Sequence, residues 1–167
     1  TNNGTLNAAT SVEANNITNA GELTSDTVLA TGDLTNNGNL NAATSVQANN
    51  IVNAGEITTL TLIANGEVTN AENATITATN GSVTVGANLT NAGEITTPTV
   101  IVNAELTNAE NATITATNGS VTVGANLTND GEISGAIVLA TGDLSNDGIL
   151  NATTSVEANN ITNAGEI

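Results

Sequence analysis

The side chains able to do chemistry in this chain are carboxylates, amides and hydroxyls. Its 167 residues include 16 Asp and Glu but no Lys, Arg or His, and no Cys, Met, Phe, Tyr or Trp. Cleaving a glycosidic bond takes two carboxylates about a water or a sugar apart, or a metal with a basic partner, gathered in one cleft. Here the acids recur at intervals along the chain and no basic side chain can partner them. No catalytic residue is therefore assigned, and an enzyme is not expected. Calcium needs hard oxygen ligands, and Asp130 with Glu132, and Asp143 with Asp147, bring carboxylates together beside Asn side chains and backbone carbonyls. No EF-hand loop or Asp-rich nonapeptide surrounds them, so a solvated acidic face is the simpler reading. Calcium bridging between acidic surfaces is the one cofactor expectation.

Absences narrow the partners. Without Lys or Arg there is no counterion release on a phosphate backbone and no bidentate phosphate clamp, which excludes nucleic acid. Without aromatics there is no stacking platform for bases or sugar rings. A formal charge of −16 favours solubility and repels anionic membranes. No apolar run approaches the ~20 residues of a membrane span, so membrane insertion is not expected. The lack of cysteine rules out a disulfide framework but names no compartment. The chain opens without Met or a signal peptide, which reads as a processed or excised region of something longer. A single proline, with Val, Ile, Leu and Thr at regular spacing, argues against disorder.

The spacing comes from one motif. Leu89 to Ile95, LTNAGEI, recurs as ITNAGEL from Ile17, LTNNGNL from Leu34, IVNAGEI from Ile51, LTNDGEI from Leu127, LSNDGIL from Leu144 and ITNAGEI from Ile161. Variants without the glycine, VTNAENA and LTNAENA, begin at Val68 and Leu106, and Thr1 lies one residue inside another copy. Units therefore start at 1, 17, 34, 51, 68, 89, 106, 127, 144 and 161; most have 17 residues, and those at Val68 and Leu106 have 21. The third position is always Asn: Asn2, Asn19, Asn36, Asn53, Asn70, Asn91, Asn108, Asn129, Asn146 and Asn163. The fifth is Gly4, Gly21, Gly38, Gly55, Gly93, Gly131, Gly148 and Gly165, with Glu72 or Glu110 in the long units. The seventh is Leu or Ile in most units and Ala74 or Ala112 in the long ones. A second aliphatic column reads Val12, Leu29, Val46, Ile63, Ile101, Leu139 and Val156.

Short β-branched segments broken by Asn and Gly fit poorly with helices. They predict an all-β, single-stranded β-solenoid over residues 1–167, with one coil per unit. Coils stacked at ~4.8 Å place identical residues in ladders. Inward Leu, Ile and Val make a narrow core, Asn stacks as an amide ladder, and glycine suits a corner of positive φ. Charge supports one coil per unit. The sixth position (Thr5, Glu22, Asn39, Glu56, Asn73, Glu94, Asn111, Glu132, Ile149, Glu166) and the last (Asn16, Asp33, Asn50, Glu67, Asn88, Glu105, Asn126, Asp143, Asn160) alternate acid with neutral residue. One coil per unit then holds like charges ~9.6 Å apart with an amide between them. In the long units, Asn80-Gly81 and Asn118-Gly119 predict small bulging hairpins or a widened corner. Thr59/Thr61 and Thr97/Thr99, with the column Thr10, Thr27, Thr44, Thr61, Thr99 and Thr154, raise an ice-binding face as a minor alternative, although threonine is also a good strand former.

The cadence L-T-N-x-G-x-I, followed by a turn and a second Thr/Val strand, resembles the haemagglutinin-type repeats of two-partner-secretion adhesins and the β-helical passenger regions of autotransporters. That resemblance implies an extracellular, cell-surface β-helix used in adhesion or cell contact. These units are shorter than that family's usual coil, and they lack basic and aromatic residues. Residues 144–167 closely restate the start of the chain, and neither end shows a distinct capping unit. Open ends predict a stack that continues into further repeats or neighbouring copies. The expectation is a structural extracellular segment of a fibre or sheath that self-associates end to end, with an adhesin stalk as the alternative and cell-surface or matrix contact in either case.

Overall fold

A computed structural model describes all 167 residues as a parallel β-solenoid of about 9 turns, with no helix. Each coil has a narrow and a wide wall. The narrow wall is a nine-stranded sheet of three-residue strands, each an aliphatic residue, then Thr, Ser or Val, then Asn, from Ile17–Asn19 to Ile161–Asn163. The wide wall is a 13-stranded sheet whose strands bend around a corner, as in Glu22–Ala30, or break there, as in Thr75–Ala78 and Ser82–Val85. Pairing is parallel and in register, Leu34 on Ile51 and Asn36 on Asn53. One unit is thus one coil, as the charge alternation requires.

Alternation along each strand sorts the side chains. In Ile57–Thr59 the isoleucine and Thr59 point inward and Thr58 outward, the period of two that a pleated strand imposes. The inward residues of all coils merge into one cluster of 33 buried apolar residues. Leu34, Leu40, Ile57, Ile95 and Leu127 are 0–1 % exposed. The core is narrow enough that aliphatic side chains meeting from two walls fill it, so it needs no aromatic residue. No buried side-chain nitrogen or oxygen lacks a hydrogen-bond partner.

The wide wall corrects several sequence expectations. Its inward column is Val28, Val46, Leu62, Val83, Val100, Val121 and Val138. Leu29, Ile63, Ile101 and Leu139 lie one residue later and face outward, with Ile101 36 % exposed. Two kinds of coil alternate. Tight-corner coils, starting at Ile17, Ile51, Leu89 and Leu127, pass from one inward residue to the next in a short step, as from Ser25 to Val28. Wide-corner coils take a longer step, as from Ala42 to Val46, and the pairing shifts register at that corner. A fixed 17-residue frame therefore drifts by one position in alternate coils.

The long units also depart from the motif alignment that puts Ala74 and Ala112 at the seventh, aliphatic position. Register places Thr75 on Glu56 and Glu94, and Ile76 on Ile57 and Ile95. Ile76 and Ile114, not Ala74 and Ala112, therefore occupy the aliphatic column. Thr75 and Thr113 replace Asn73 and Asn111 in the acid column. The additional residues are shared between two corners. One part forms turns at 71–74 and 109–112, closed by Ala74 N–H to Ala71 O and Ala112 N–H to Ala109 O, both 3.1 Å. Asn73 and Asn111 sit there at φ 62° and 65°, a left-handed conformation asparagine tolerates better than most residues. The other part surrounds Asn80-Gly81 and Asn118-Gly119. The strands on either side of each turn pair with neighbouring coils, not with each other, so each is a widened corner and not a hairpin.

Candidate functional site

The chemistry of this molecule lies in columns that run the length of the stack. The asparagine column is complete: Nδ2 of each Asn donates to Oδ1 of the next, from Asn2 to Asn163, at 2.7–2.9 Å. The same Nδ2 also reaches a backbone carbonyl of the following coil, as from Asn36 to Glu56 O at 2.9 Å, and one in its own corner, Gly38 O at 3.0 Å. Asn19 through Asn146 in this column are fully buried. An amide carries both donor and acceptor, so one residue type can repeat along the axis with every polar atom satisfied. Neither Asp nor Leu can do this.

The glycine column explains the close stacking at the first corner. The sequence suggested positive φ there, yet no glycine has one. Space is the reason instead. A Cβ on Gly38 would strike the Gly21 carbonyl oxygen and lie 2.8 Å from the Ala20 carbonyl carbon. Gly21, Gly55, Gly148 and Gly165 meet the same obstruction from the coil before, whereas Gly4, in the first coil, meets nothing. Ala74 and Ala112 stand in this column in the long coils, where the extra turn reroutes the chain.

Acids interleave with amides at the third corner. Asn50 donates from Nδ2 to Asp33 Oδ1 at 2.9 Å and accepts the Glu67 backbone N–H on Oδ1 at 2.9 Å. Asn126 likewise receives Asp143 N–H at 3.0 Å, and Asn160 donates to Asp143 Oδ1 at 2.8 Å. Asn50 and Asn126 therefore each stand between two acids, donating to the carboxylate of the coil before and accepting the backbone N–H of the acid in the coil after. On the wide wall, Glu22, Glu56, Glu94, Glu132 and Glu166 alternate in register with Thr5, Asn39, Thr75, Thr113 and Ile149.

The four calcium candidates do not form a cage. Asp130 and Asp147 stand at the first corner of successive coils, Glu132 accepts from Ser134 Oγ at 3.3 Å and from Asn151 Nδ2 at 3.2 Å, and Asp143 is held by Asn159 and Asn160. No group of three or more acidic side chains converges as a cation site needs. The threonine pairs do not make a flat face either. Thr59 and Thr97 are 2 % and 0 % exposed, and they donate inside the corner to Thr61 O at 3.2 Å and Thr99 O at 3.3 Å. Register pairs Thr27 with Ser45 and Ser45 with Thr61, leaving Thr44 out of the column.

Those buried hydroxyls are a structural role that the sequence reading missed. Ser25, Thr59 and Thr97 mark tight corners, while Ala42, Ala78 and Ala116 occupy the same inward column in wide ones. The signal was present as a Ser or Thr three residues before the inward Val or Leu. The stack also has a notch of about 590 Å³ between the turns at Glu72-Asn73 and Glu110-Asn111, floored by Ala92, Gly93 and Glu94. No family model matches the chain, and neither does any curated protein or solved structure.

Proposed function

We propose that this chain is a structural segment of an extracellular fibre or sheath, acting by axial stacking and not by catalysis. The observation that carries this reading is the asparagine ladder together with the aliphatic columns, which repeat in register from coil to coil along the stack. Exposed parallel edges with apolar residues between them are surfaces for strand addition. The absence of Lys and Arg, which removes every trypsin-type cleavage site, suits a durable extracellular material. The exposed carboxylate columns give such rods a strongly anionic exterior, which calcium would bridge.

The alternative is the stalk of a surface adhesin, which the repeat cadence supports. Electron microscopy of residues 1–167 in buffer, with and without EDTA, separates the two. Unbranched filaments with a ~4.8 Å axial repeat support stacking. Their loss in EDTA makes calcium part of the assembly. Isolated rods of a single length, at all concentrations, leave the stalk.

A further inference from the structure

The two widened corners carry one sequence, ATITATNGSVTVG, from Ala74 and again from Ala112, and each exposes an asparagine just before a glycine. Thr79 and Thr117 donate from their backbone N–H to Thr59 O and Thr97 O, both at 2.9 Å, and neither Asn80 nor Asn118 is itself held by a backbone hydrogen bond. The corners differ at the glycine. Gly81 N–H donates to Leu60 O at 3.0 Å, whereas Gly119 N–H has no partner within the chain. What differs is the coil before. Thr59-Leu60-Thr61 runs beneath the first corner, and Thr97-Pro98-Thr99, with the one proline of the chain, beneath the second. The proline ring holds φ at about −65° and restricts the residue before it, so the backbone that carries the Pro98 carbonyl is stiffer than that of Leu60.

We infer that Asn118 is a site of self-modification, losing its side-chain amide in water to become a carboxylate, and that it does so faster than Asn80. The Gly119 nitrogen gives its proton to hydroxide and attacks Asn118 Cγ. The new N–Cγ bond closes a succinimide ring, the Cγ–Nδ2 bond breaks, and Nδ2 takes a proton from water and leaves as ammonia. A second water then adds to either ring carbonyl and opens the ring to aspartate or to its β-linked isomer. Glycine permits the attack because no side chain shields its nitrogen. A hydrogen bond from that N–H favours the protonated form and fixes the nitrogen in place, and Gly81 has such a bond where Gly119 has none. Asn118 also opens on a hollow of about 380 Å³, lined by Thr117, Ser134 and Asn151 among others, which admits water and leaves Cγ room to swing toward the nitrogen. Two other Asn-Gly pairs within the stack are locked. Asn65 and Gly66 both donate to the coil before, at 3.0 and 2.7 Å. At Asn37-Gly38 the buried Asn36 holds Gly38 O at 3.0 Å, and the N–H groups of Asn37 and Asn39 are bonded at 2.7 and 2.9 Å, so closing the ring would tear the corner apart.

The sequence supplies its own control. A protease that cuts after glutamate releases residues 73–94 and 111–132, which carry Asn80 and Asn118 in peptides that differ only at Ala92 and Asp130. The full-length protein is aged in mildly alkaline buffer, folded or in concentrated denaturant, then digested, and mass spectrometry follows the gain at Asn80 and Asn118 that replacing NH2 by OH brings. In denaturant the two asparagines are expected to react at equal rates. In the folded chain Asn118 is expected to react about five-fold faster than Asn80, the weight of one neutral backbone hydrogen bond. Pro98→Leu, which gives the second corner the same residue beneath it as the first, is expected to bring Asn118 down to the rate of Asn80. Asn118→Gln, whose longer side chain closes a ring less readily, is expected to remove the gain at that position. Equal rates at Asn80 and Asn118 in the folded chain, or a ratio that is the same folded and denatured, overturn the inference.

Discussion

On the narrow wall every strand from Ile17–Asn19 to Ile161–Asn163 is three residues long and ends in Asn, buried in each coil from Asn19 to Asn146. The wide wall of the same coils has single strands of nine or ten residues in some coils and pairs of four-residue strands in others, and it shifts register at its corner. The difference follows from what each wall buries. An Asn inside the narrow wall has satisfied partners only if its neighbours stand one rung above and below, so a slip of one residue orphans several buried polar atoms at once. The wide wall buries mainly Val, Ile, Leu and Ala, whose packing is non-directional and tolerates a residue more or less at the bend. Variation in this molecule therefore collects at corners and leaves the ladder alone.

Breaking the ladder in its middle should have the largest effect. Asn91 receives Asn70 Nδ2 at 2.9 Å and donates to Asn108 Oδ1 at 2.8 Å. Asn91→Asp removes the donor, sets two acceptors against each other and buries a carboxylate, for a loss of roughly 4 kcal/mol near neutral pH. The introduced acid has a folded-state pKa raised above its unfolded value, so the loss is greatest above the folded pKa and shrinks as pH falls through it. Urea unfolding of variant and wild type at pH 7 and pH 4 checks this. A deficit that does not shrink in acid would mean that the site is solvated.

The glycine column ranks next and sharpens the contrast between walls. Gly38→Ala drives a methyl into backbone that cannot yield, and should cost about 2–3 kcal/mol. Gly135, on the wide wall, has its nearest obstruction at 3.3 Å, so Gly135→Ala should change stability by less than ~1 kcal/mol. Equal losses from the two, in thermal or urea unfolding, would remove the distinction drawn here between rigid and tolerant walls. Within the wide wall, Thr97→Ala deletes the buried hydroxyl that holds the tight corner and should cost about 1–1.5 kcal/mol in the same assay. Gly135 occupies the equivalent position in its own coil with no hydroxyl at all, so that corner closes without the bond.

How much of this was legible depended on whether a column was forced by chemistry. The ten asparagines could be read directly, because a buried amide must repeat at the same place in each coil. The alternation of acid and amide gave one coil per unit for a similar reason. The outward turn of Leu29, Ile63, Ile101 and Leu139 was not legible, since an aliphatic residue in a threonine-rich strand carries no mark of the face it takes. Nor was the split of the long units between two corners. VTNAENA can be aligned to the glycine motif with no gap, and only the pairing of Ile76 with Ile57 and Ile95 shows that Ala74 has moved into the glycine column. Glycine's purpose was misread because a steric requirement set by the coil below leaves the same trace in sequence as a conformational one.

The smallest expected effect tests whether the third corner belongs with the narrow wall or the wide one. Asn50 lies between Asp33 and Glu67, and it donates to the first while accepting the backbone of the second. Asn50→Asp preserves the acceptor and replaces the donor by charge, leaving three carboxylates in successive coils at ~4.8 Å spacing. These groups lie at the surface, so water and salt screen them, and the loss should be only about 0.5–1 kcal/mol at low ionic strength. Raising salt to ~1 M shortens the Debye length to ~3 Å and should recover most of it. A loss that persists in high salt would mean that the lost Asn50 hydrogen bond, and not repulsion, sets the cost. The outer ladder would then resemble the buried one, positioned by hydrogen bonding first and by charge second. Full recovery would show that the interleaved amides act mainly as spacers between charges, a role water and counter-ions can also fill.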